Sequence, residues 1–264
     1  VGAGIAGASL AAEIAYEKSV LLLEAEDLPG YHATGRSAAF WTETYGGPSI
    51  QPLTSASGPF LASPPPGFAD GPLMHRRGAL HLGRDSDADA AIAMVADFAR
   101  SDVVLERLDD QALAARVPGL RPGWTEALWE PDCCDIDVAG LHAGYLKKAR
   151  RTGVQLVCNS LLKSARFANG RWSIDAGGVS YSARMLVNAA GAWADPVAQC
   201  AGIKAIGIKP YRRTIMQLAM EPGKGTGQAY LIADEHYVTI ADLVRRAGAA
   251  LGRPVRLVRL PIWP

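Results

Sequence analysis

The chain has 264 residues, with 27 lysines and arginines against 26 acidic residues, so its net charge is close to zero. This balance argues against nucleic acid or an anionic membrane surface as a partner, and no apolar run in the sequence is long enough to span a bilayer. The length allows one large or two modest domains. No signal peptide is apparent and the four cysteines lack ligand-like spacing, so we expect reduced thiols in a cytoplasmic protein.

A glycine-rich loop opens the chain. Val1–Gly7 has the spacing Gly-x-Gly-x-x-Gly and runs into an Ala-rich stretch at 6–18 that predicts a helix. The apolar run Ser19–Glu24 predicts a parallel strand buried on both faces and ends in an acid. Loop, helix, strand and acid in this order are typical of a site for a dinucleotide pyrophosphate and ribose. The alternative is a helix-capping glycine cluster before an ordinary core strand. Since only Val1 precedes the loop, the N-terminus is expected to be truncated.

The rest of the chain alternates helical and extended patterns. Helices are predicted from about Ile50 to a break at 63–67, and over 86–101, 110–117 and 137–151; strands are predicted at 80–82, 128–131, 154–158, 164–167, 171–175 and 185–191. Ser86 is expected to cap the 86–101 helix, with Ile92, Val95 and Phe98 on its apolar face. Asn169-Gly170 predicts a tight hairpin. This order predicts an α/β fold whose dinucleotide domain is discontinuous and holds an inserted second domain.

Three segments together resemble the D-amino-acid oxidase superfamily of flavoproteins, and in particular bacterial D-arginine dehydrogenase and its relatives. They are Gly2–Gly7, Pro29–Ala39 and Leu186–Asp195, supported by 135–137, 141–146, 157–159 and 210–214. The resemblance covers roughly residues 1–220. It implies a Rossmann-like FAD-binding domain at 1–45 and 130–205, with an inserted mixed α+β substrate domain at 46–129 and 206–236. The fold would be C-terminally incomplete, with an atypical helix-strand tail at 237–264.

The same resemblance implies FAD as the cofactor. The opening loop would hold the pyrophosphate, Glu24 and Ala25 the adenosine ribose, and the backbone of Leu162 the adenine. The other implied cofactor contacts are Gly2, Gly4, Ile5, Ala6, Gly7, His32, Thr34, Gly35, Arg36, Ser37, Ala38, Ala189, Ala190, Gly191 and Trp193. On composition alone, residues 29–39 are also typical of a surface loop, and residues 189–191 of ordinary helix–strand packing. A covalent bond from His32 to the flavin is the less favoured interpretation; a hydrogen-bonding or packed histidine is preferred.

The implied reaction is oxidation of the Cα–N bond of a D-amino acid or related amine, giving an imino acid that water hydrolyses to a 2-oxo acid. Arg213 matches the arginine that grips the substrate carboxylate, and Tyr45 an active-site tyrosine that closes over the substrate. From residue type alone, Arg212 and Arg213 fit a solvated basic pair and Tyr45 a packed core aromatic.

Two positions differ from D-arginine dehydrogenase. Phe40 replaces an active-site histidine, and Ala79 replaces the acid that receives a cationic side chain. We therefore expect a more apolar amino acid as the small-molecule substrate; its electron acceptor is left open.

The tail supports a second hypothesis. From about Tyr237 it resembles the C-terminal helix and strand of nucleotide-sugar epimerase/dehydratase relatives, with Thr239 as helix cap and Gly252 at the helix end. An NAD-dependent enzyme of that class should carry a Tyr-x-x-x-Lys pair, which the sequence lacks. A third hypothesis is an inactive, truncated nucleotide-binding remnant.

Overall fold

The computed structural model describes residues 1–120 and 122–211, together with the backbone of two later strands. Val1–Lys209 form one compact unit and Pro210–Pro264 a second. The α-helices are α1 (Ile5–Ile14), α2 (Gln51–Ala62), α3 (Ala88–Phe98), α4 (Asp110–Arg116), α5 (Val138–Arg151) and α6 (Ala194–Cys200). The strands are β1 (Leu21–Leu23), β2 (Phe40–Trp41), β3 (Met74–Arg76), β4 (Ala79–Gly83), β5 (Glu106–Arg107), β6 (Glu126–Glu130), β7 (Cys134–Ile136), β8 (Gln155–Val157), β9 (Leu162–Ala168), β10 (Arg171–Ala176), β11 (Val179–Ala183), β12 (Thr214–Gln217) and β13 (Ala229–Ile232).

The first α/β layer forms around β1, which pairs in parallel with β8. Small residues of α1 allow it to pack closely over this pair and against α5, in a core of Ala3, Ala11, Ala12, Leu22, Ala149 and Val154. The predicted parallel strand is confirmed. The predicted helix over 6–18 is shorter, because a turn of exposed residues follows Ala15. Among the described helices, none has both the length and the apolar character needed to cross a bilayer.

A three-stranded antiparallel sheet, β11-β10-β9, covers the carboxyl end of β1. Its β9–β10 hairpin turns at Asn169 and Gly170, whose φ angles are 51° and 74°. A two-residue turn with both φ values positive matches the twist of the flanking strands, so the hairpin prediction is confirmed. Leu162 lies in the core between this sheet and Leu23.

The remaining strands form two small antiparallel sheets, β2-β7-β3 and β4-β6-β5. Helix α2 packs beside the first of them, over a core of Leu61, Phe68 and Leu73. Strands β12 and β13 pair antiparallel in the second unit.

Two local predictions were wrong. Residues 185–191 do not form a strand; their pairing is limited to Val1, whose amino group donates to Val187 O at 2.7 Å and whose carbonyl accepts from Ala189 N at 2.8 Å. Helix α3 follows a short 3₁₀ turn rather than a Ser86 cap. Phe98 is buried, but Ile92 and Val95 are exposed, so the expected apolar face is not packed.

Candidate cofactor and substrate site

The glycine loop between Val1 and α1 folds tightly against itself. Gly2 has a φ of 96°, and a Cβ there would lie 2.5 Å from the carbonyl oxygen of Ala189. A Cβ on Gly7 would lie 1.8 Å from the carbonyl oxygen of Gly2. Both positions therefore require glycine, and they bring the start of α1 and the turn at Ala189 onto the loop.

Gly4 differs from these two glycines, because a Cβ there would meet only the Thr34 hydroxyl oxygen, at 3.1 Å. Gly4 also precedes α1 without a side-chain cap. The Ile5 N–H donates to Thr34 Oγ1 at 3.0 Å. Beside it the helix terminus offers the uncapped first-turn N–H groups and partial positive charge that suit a phosphate. The loop thus keeps open the space that a pyrophosphate needs.

Glu24 directly follows β1, its carboxylate bonded to Ala3 of the loop, and is almost fully buried. One carboxylate oxygen accepts from Ala3 N at 2.7 Å and the other from Glu26 N at 3.1 Å. Each oxygen keeps a further lone pair, which suits the expected contact with ribose hydroxyls. Ala25, the next residue, is exposed.

We predict that Glu24→Gln weakens FAD binding roughly tenfold, because the amide NH₂ replaces one acceptor and faces a backbone N–H. Titration of the apoprotein with FAD measures the change. Glu17→Gln, an exposed change in the same α/β layer, serves as the control. Equal affinities in the two variants would show that the Glu24 carboxylate does not support the cofactor site.

The segment from Gly30 to Ala38 reaches the loop through Thr34. Its own fold is tight: the Gly35 N–H donates to Gly30 O at 2.7 Å, and a Cβ on Gly35 would lie 2.6 Å from that oxygen. The Arg36 guanidinium lies 4.5 Å from the centre of the Tyr31 ring, and Ser37 is exposed. The segment is a turn-rich strap, largely exposed, that contacts the glycine loop through Thr34.

Two residues expected at the cofactor, His32 and Trp193, are brought together, with ring centres 4.2 Å apart. His32 Nε2 also lies 2.7 Å from a carboxylate oxygen of Glu26. Trp193 ends a short 3₁₀ turn, 191–193, directly after the residues that cover Gly2. The contact therefore joins the strap, the turn after β1 and residues 189–193. Glu26 was not predicted; an acid two residues after Glu24 carried no distinctive signal.

His142 is a further residue that sequence reasoning missed. It is buried on α5, and its Nε2 donates to Ala3 O at 2.8 Å. A Cβ on Gly30 would lie 2.7 Å from its ring, so the strap backbone packs directly on the imidazole. One side chain therefore supports both the glycine loop and the strap. A lone histidine on a helix face was the only signal in the sequence.

A cavity of about 330 Å³ lies next to the strap. Its walls are mainly apolar and are formed by Phe40, Trp41, Thr42, Tyr45, Ile50, Leu53, Thr54, Ser57, Leu61 and Ile136. Ala38 and Phe40 are two residues apart, so the strap and the cavity are within about 7 Å along the backbone. Tyr45 is 75% exposed at this cavity, so it is not a packed core aromatic.

A buried carboxylate lies behind the cavity. Glu130, at the end of β6, is 2% exposed and accepts hydrogen bonds from Thr42, Thr44, His81 and the backbone N–H of Glu43. Burial alone would raise the pKa of Glu130, but the hydrogen bonds from His81, Thr44, Thr42 and Glu43 together lower the pKa below its usual value. Its partners come from two separate parts of the chain, residues 42–44 and His81, so no local motif indicated this cluster.

The cysteines have no part in this site. All four are free thiols, and burial raises the pKa of Cys133 to about 11, which keeps it protonated and unreactive. Within residues 1–120 and 122–211, no group of histidine, cysteine and carboxylate side chains is arranged to hold a metal ion. Arg213 and the tail from residue 237 lie outside the described residues, and the backbone contact of Leu162 with adenine stays a prediction.

Comparison with known proteins agrees with this geometry. The model of a family described as DAO, FAD dependent oxidoreductase, matches residues 1–247, past residue 220, where the resemblance was expected to end, and past residue 237, where an atypical tail was expected to begin. Similar solved structures include L-proline dehydrogenase from P. horikoshii, with a TM-score of 0.72, 21% identity and coverage of 84% of this chain and 60% of that chain. L-alpha-glycerophosphate oxidase from Mycoplasma pneumoniae, with FAD bound, has a TM-score of 0.69 and 14% identity over 85% of this chain and 62% of that chain. Glycine oxidase from Geobacillus kaustophilus has a TM-score of 0.68 and 17% identity over 94% of this chain and 75% of that chain. The chain thus spans less than two thirds of the first two proteins.

Proposed function

The chain belongs to the DAO family of FAD-dependent oxidoreductases, and from this premise we propose that it oxidises the Cα–N bond of a D-amino acid or a related amine. FAD, rather than NAD, is the cofactor. The observation that carries the proposal is the open cradle at Gly4, formed by the glycine loop, the strap and the turn at Ala189, together with the apolar cavity whose lining begins two residues after the strap.

The described residues fit FAD through backbone and small side chains. The first turn of α1 would bind the pyrophosphate and Glu24 the ribose hydroxyls, with Thr34 of the strap beside the glycine loop. Bound FAD supplies the acceptor for a hydride from the substrate α-carbon, and water hydrolyses the imino acid to a 2-oxo acid. The role of the protein is to hold the substrate at the right distance and to exclude water.

The cavity favours an amino acid with an apolar side chain. Phe40, Trp41 and Leu53 contribute apolar surface, and the nearby Glu130 carboxylate already binds four partners of this chain. A cationic side chain would therefore find no free acceptor at Glu130. The solved neighbours are named as acting on glycine, L-proline or glycerophosphate, so the D configuration is our own proposal.

Anaerobic reduction tests the function. The protein is loaded with FAD and mixed with D-leucine, D-phenylalanine, D-arginine, L-proline, glycine and glycerol 3-phosphate in turn. We expect the flavin absorbance to bleach with the apolar D-amino acids, with a 2-oxo acid released. Bleaching by L-proline or glycerophosphate alone would overturn the substrate proposal. FAD uptake with no bleaching would indicate a nucleotide-binding remnant.

Arg213 is proposed to bind the substrate carboxylate through a two-pronged ion pair. Arg213→Gln should raise KM by about tenfold to a hundredfold, since a hydrogen-bonded charge pair is lost, while FAD content is unchanged. Steady-state kinetics and the flavin-to-protein absorbance ratio measure both. Arg212→Gln is the matched control, because it removes an adjacent cation. Identical KM values in the two variants would favour a solvated basic pair.

The cytoplasm is the proposed location, on the support of the four free thiols.

A further inference from the structure

We propose that Glu130 is a positioning residue for the substrate: by binding residues 42–44, it fixes Tyr45 and the mouth of the apolar cavity. This inference rests on the proposed function, since it assigns the cavity to the substrate. Glu130 itself does not line the cavity.

Three consecutive residues are bound by this one carboxylate. The Thr42 hydroxyl lies 2.9 Å from both oxygens, the Glu43 N–H donates at 3.0 Å, and the Thr44 hydroxyl donates at 2.7 Å. His81 Nε2 lies 3.0 Å from the same oxygen as Thr44. A carboxylate offers about four acceptor positions, so these partners satisfy it. Glu130 therefore acts through the chain and not by touching the substrate.

The bound residues lead directly into the cavity wall. Thr42 lines the cavity and binds Glu130, while Thr44 immediately precedes Tyr45, which also lines it. On its other side, the Glu43 carboxylate accepts from the Ser55 hydroxyl of α2. Helix α2 supplies Leu53, Thr54 and Ser57 to the opposite wall. The loop 42–45 is thus held between Glu130 and α2.

Apart from this carboxylate, the loop is held by the Ser55–Glu43 hydrogen bond and by a hydrogen bond from the Gly47 N–H to the Thr44 carbonyl oxygen. Tyr45 is largely exposed, and Gly46 and Gly47 follow it with φ values of 89° and 77°. Tyr45 is exposed and is followed by two glycines. Its position is therefore set mainly by the hydrogen bonds between Glu130 and the residues before it. The hydrogen bonds from residues 42–44 offset the desolvation free energy of the buried Glu130 carboxylate. The carboxylate and the loop conformation therefore depend on each other.

Strand β6 provides a matched comparison in Glu126. It is also buried, but it pairs with the Arg107 guanidinium at 2.6 Å and binds none of residues 42–45. The two glutamates are on one face of the same strand, four residues apart. A change at Glu126 therefore reports the general cost of disturbing a buried charge in β6.

The experiment compares Glu130→Gln with Glu126→Gln in the FAD-loaded protein. An amide keeps the shape of the carboxylate but loses acceptors, so we expect Glu130→Gln to raise KM roughly tenfold, with kcat and flavin content changed less than about twofold. Hydrogen–deuterium exchange of the peptide containing residues 42–45 should become faster in this variant alone. Glu126→Gln should leave KM and this exchange within about twofold of the wild type.

The outcomes separate this proposal from the proposed function. If the wild type oxidises no substrate, the proposed function fails. The hydrogen–deuterium exchange of residues 42–45 in Glu130→Gln then tests by itself whether Glu130 positions this loop. Unchanged exchange and KM in Glu130→Gln, or equal changes in Glu126→Gln, would overturn the positioning role. If Glu130→Gln does not fold, Thr44→Val, which removes one donor, should still raise KM and loop exchange by a smaller factor; no change in either would also overturn it.

Discussion

Gly7→Ala should yield a protein that no longer retains FAD. The Cβ of alanine would lie 1.8 Å from the carbonyl oxygen of Gly2, a backbone atom of the loop that forms the cradle. No side-chain rotation relieves such a contact, so α1 must move away from the loop. The uncapped N–H groups at the start of α1 would move with it.

The expected loss is large. An overpacked contact costs about 1–3 kcal/mol or more when backbone must shift, and misplacing the helix terminus also weakens the anion contact. A combined cost of about 3 kcal/mol corresponds to more than a hundredfold in FAD affinity. The flavin content after purification and the Kd from apoprotein titration measure it.

Gly71→Ala is the control for this change. A Cβ at Gly71 meets nothing within 4 Å, and no positive φ applies there. It should therefore bind FAD as the wild type does. Full flavin content in Gly7→Ala would show that α1 can shift without loss of the cofactor site, which contradicts the expected result.

Local patterns predicted several elements of the fold well. The apolar run at 19–24 and the Asn169-Gly170 pair each depend on backbone geometry within a few residues, and the parallel strand β1 and the β9–β10 hairpin confirm them. Residues 185–191 failed for a non-local reason. Their composition favours a strand, but a strand also needs a hydrogen-bonded neighbour, which local composition does not report.

The contacts that hold the site were harder to predict, because they join distant parts of the chain. Glu130 meets Thr42 across 88 residues, and His142 meets Ala3 across 139. Nothing in the sequence around these residues distinguishes them from other buried polar groups. The resemblance to flavoproteins named the residues expected at the cofactor but not the side chains that pack against them.

His142→Ala is expected to weaken both folding and FAD binding, because this side chain supports two cofactor segments. The change leaves Ala3 O without its donor and opens a hole beneath Gly30. A buried carbonyl without a partner costs about 1–3 kcal/mol, and the cavity adds to it. We expect a lower Tm and a Kd for FAD raised at least about tenfold.

His142→Phe separates the two contributions, since it keeps a ring beneath Gly30 but removes the hydrogen bond to Ala3 O. If the bond positions the glycine loop, His142→Phe should lose FAD affinity while recovering part of the Tm lost in His142→Ala. His75→Ala, a change at an exposed histidine of β3, should alter neither quantity. Wild-type FAD affinity in His142→Phe would show that the imidazole only fills space. Reduced affinity at near-normal Tm would instead show that loop geometry, set from behind by α5, governs cofactor binding.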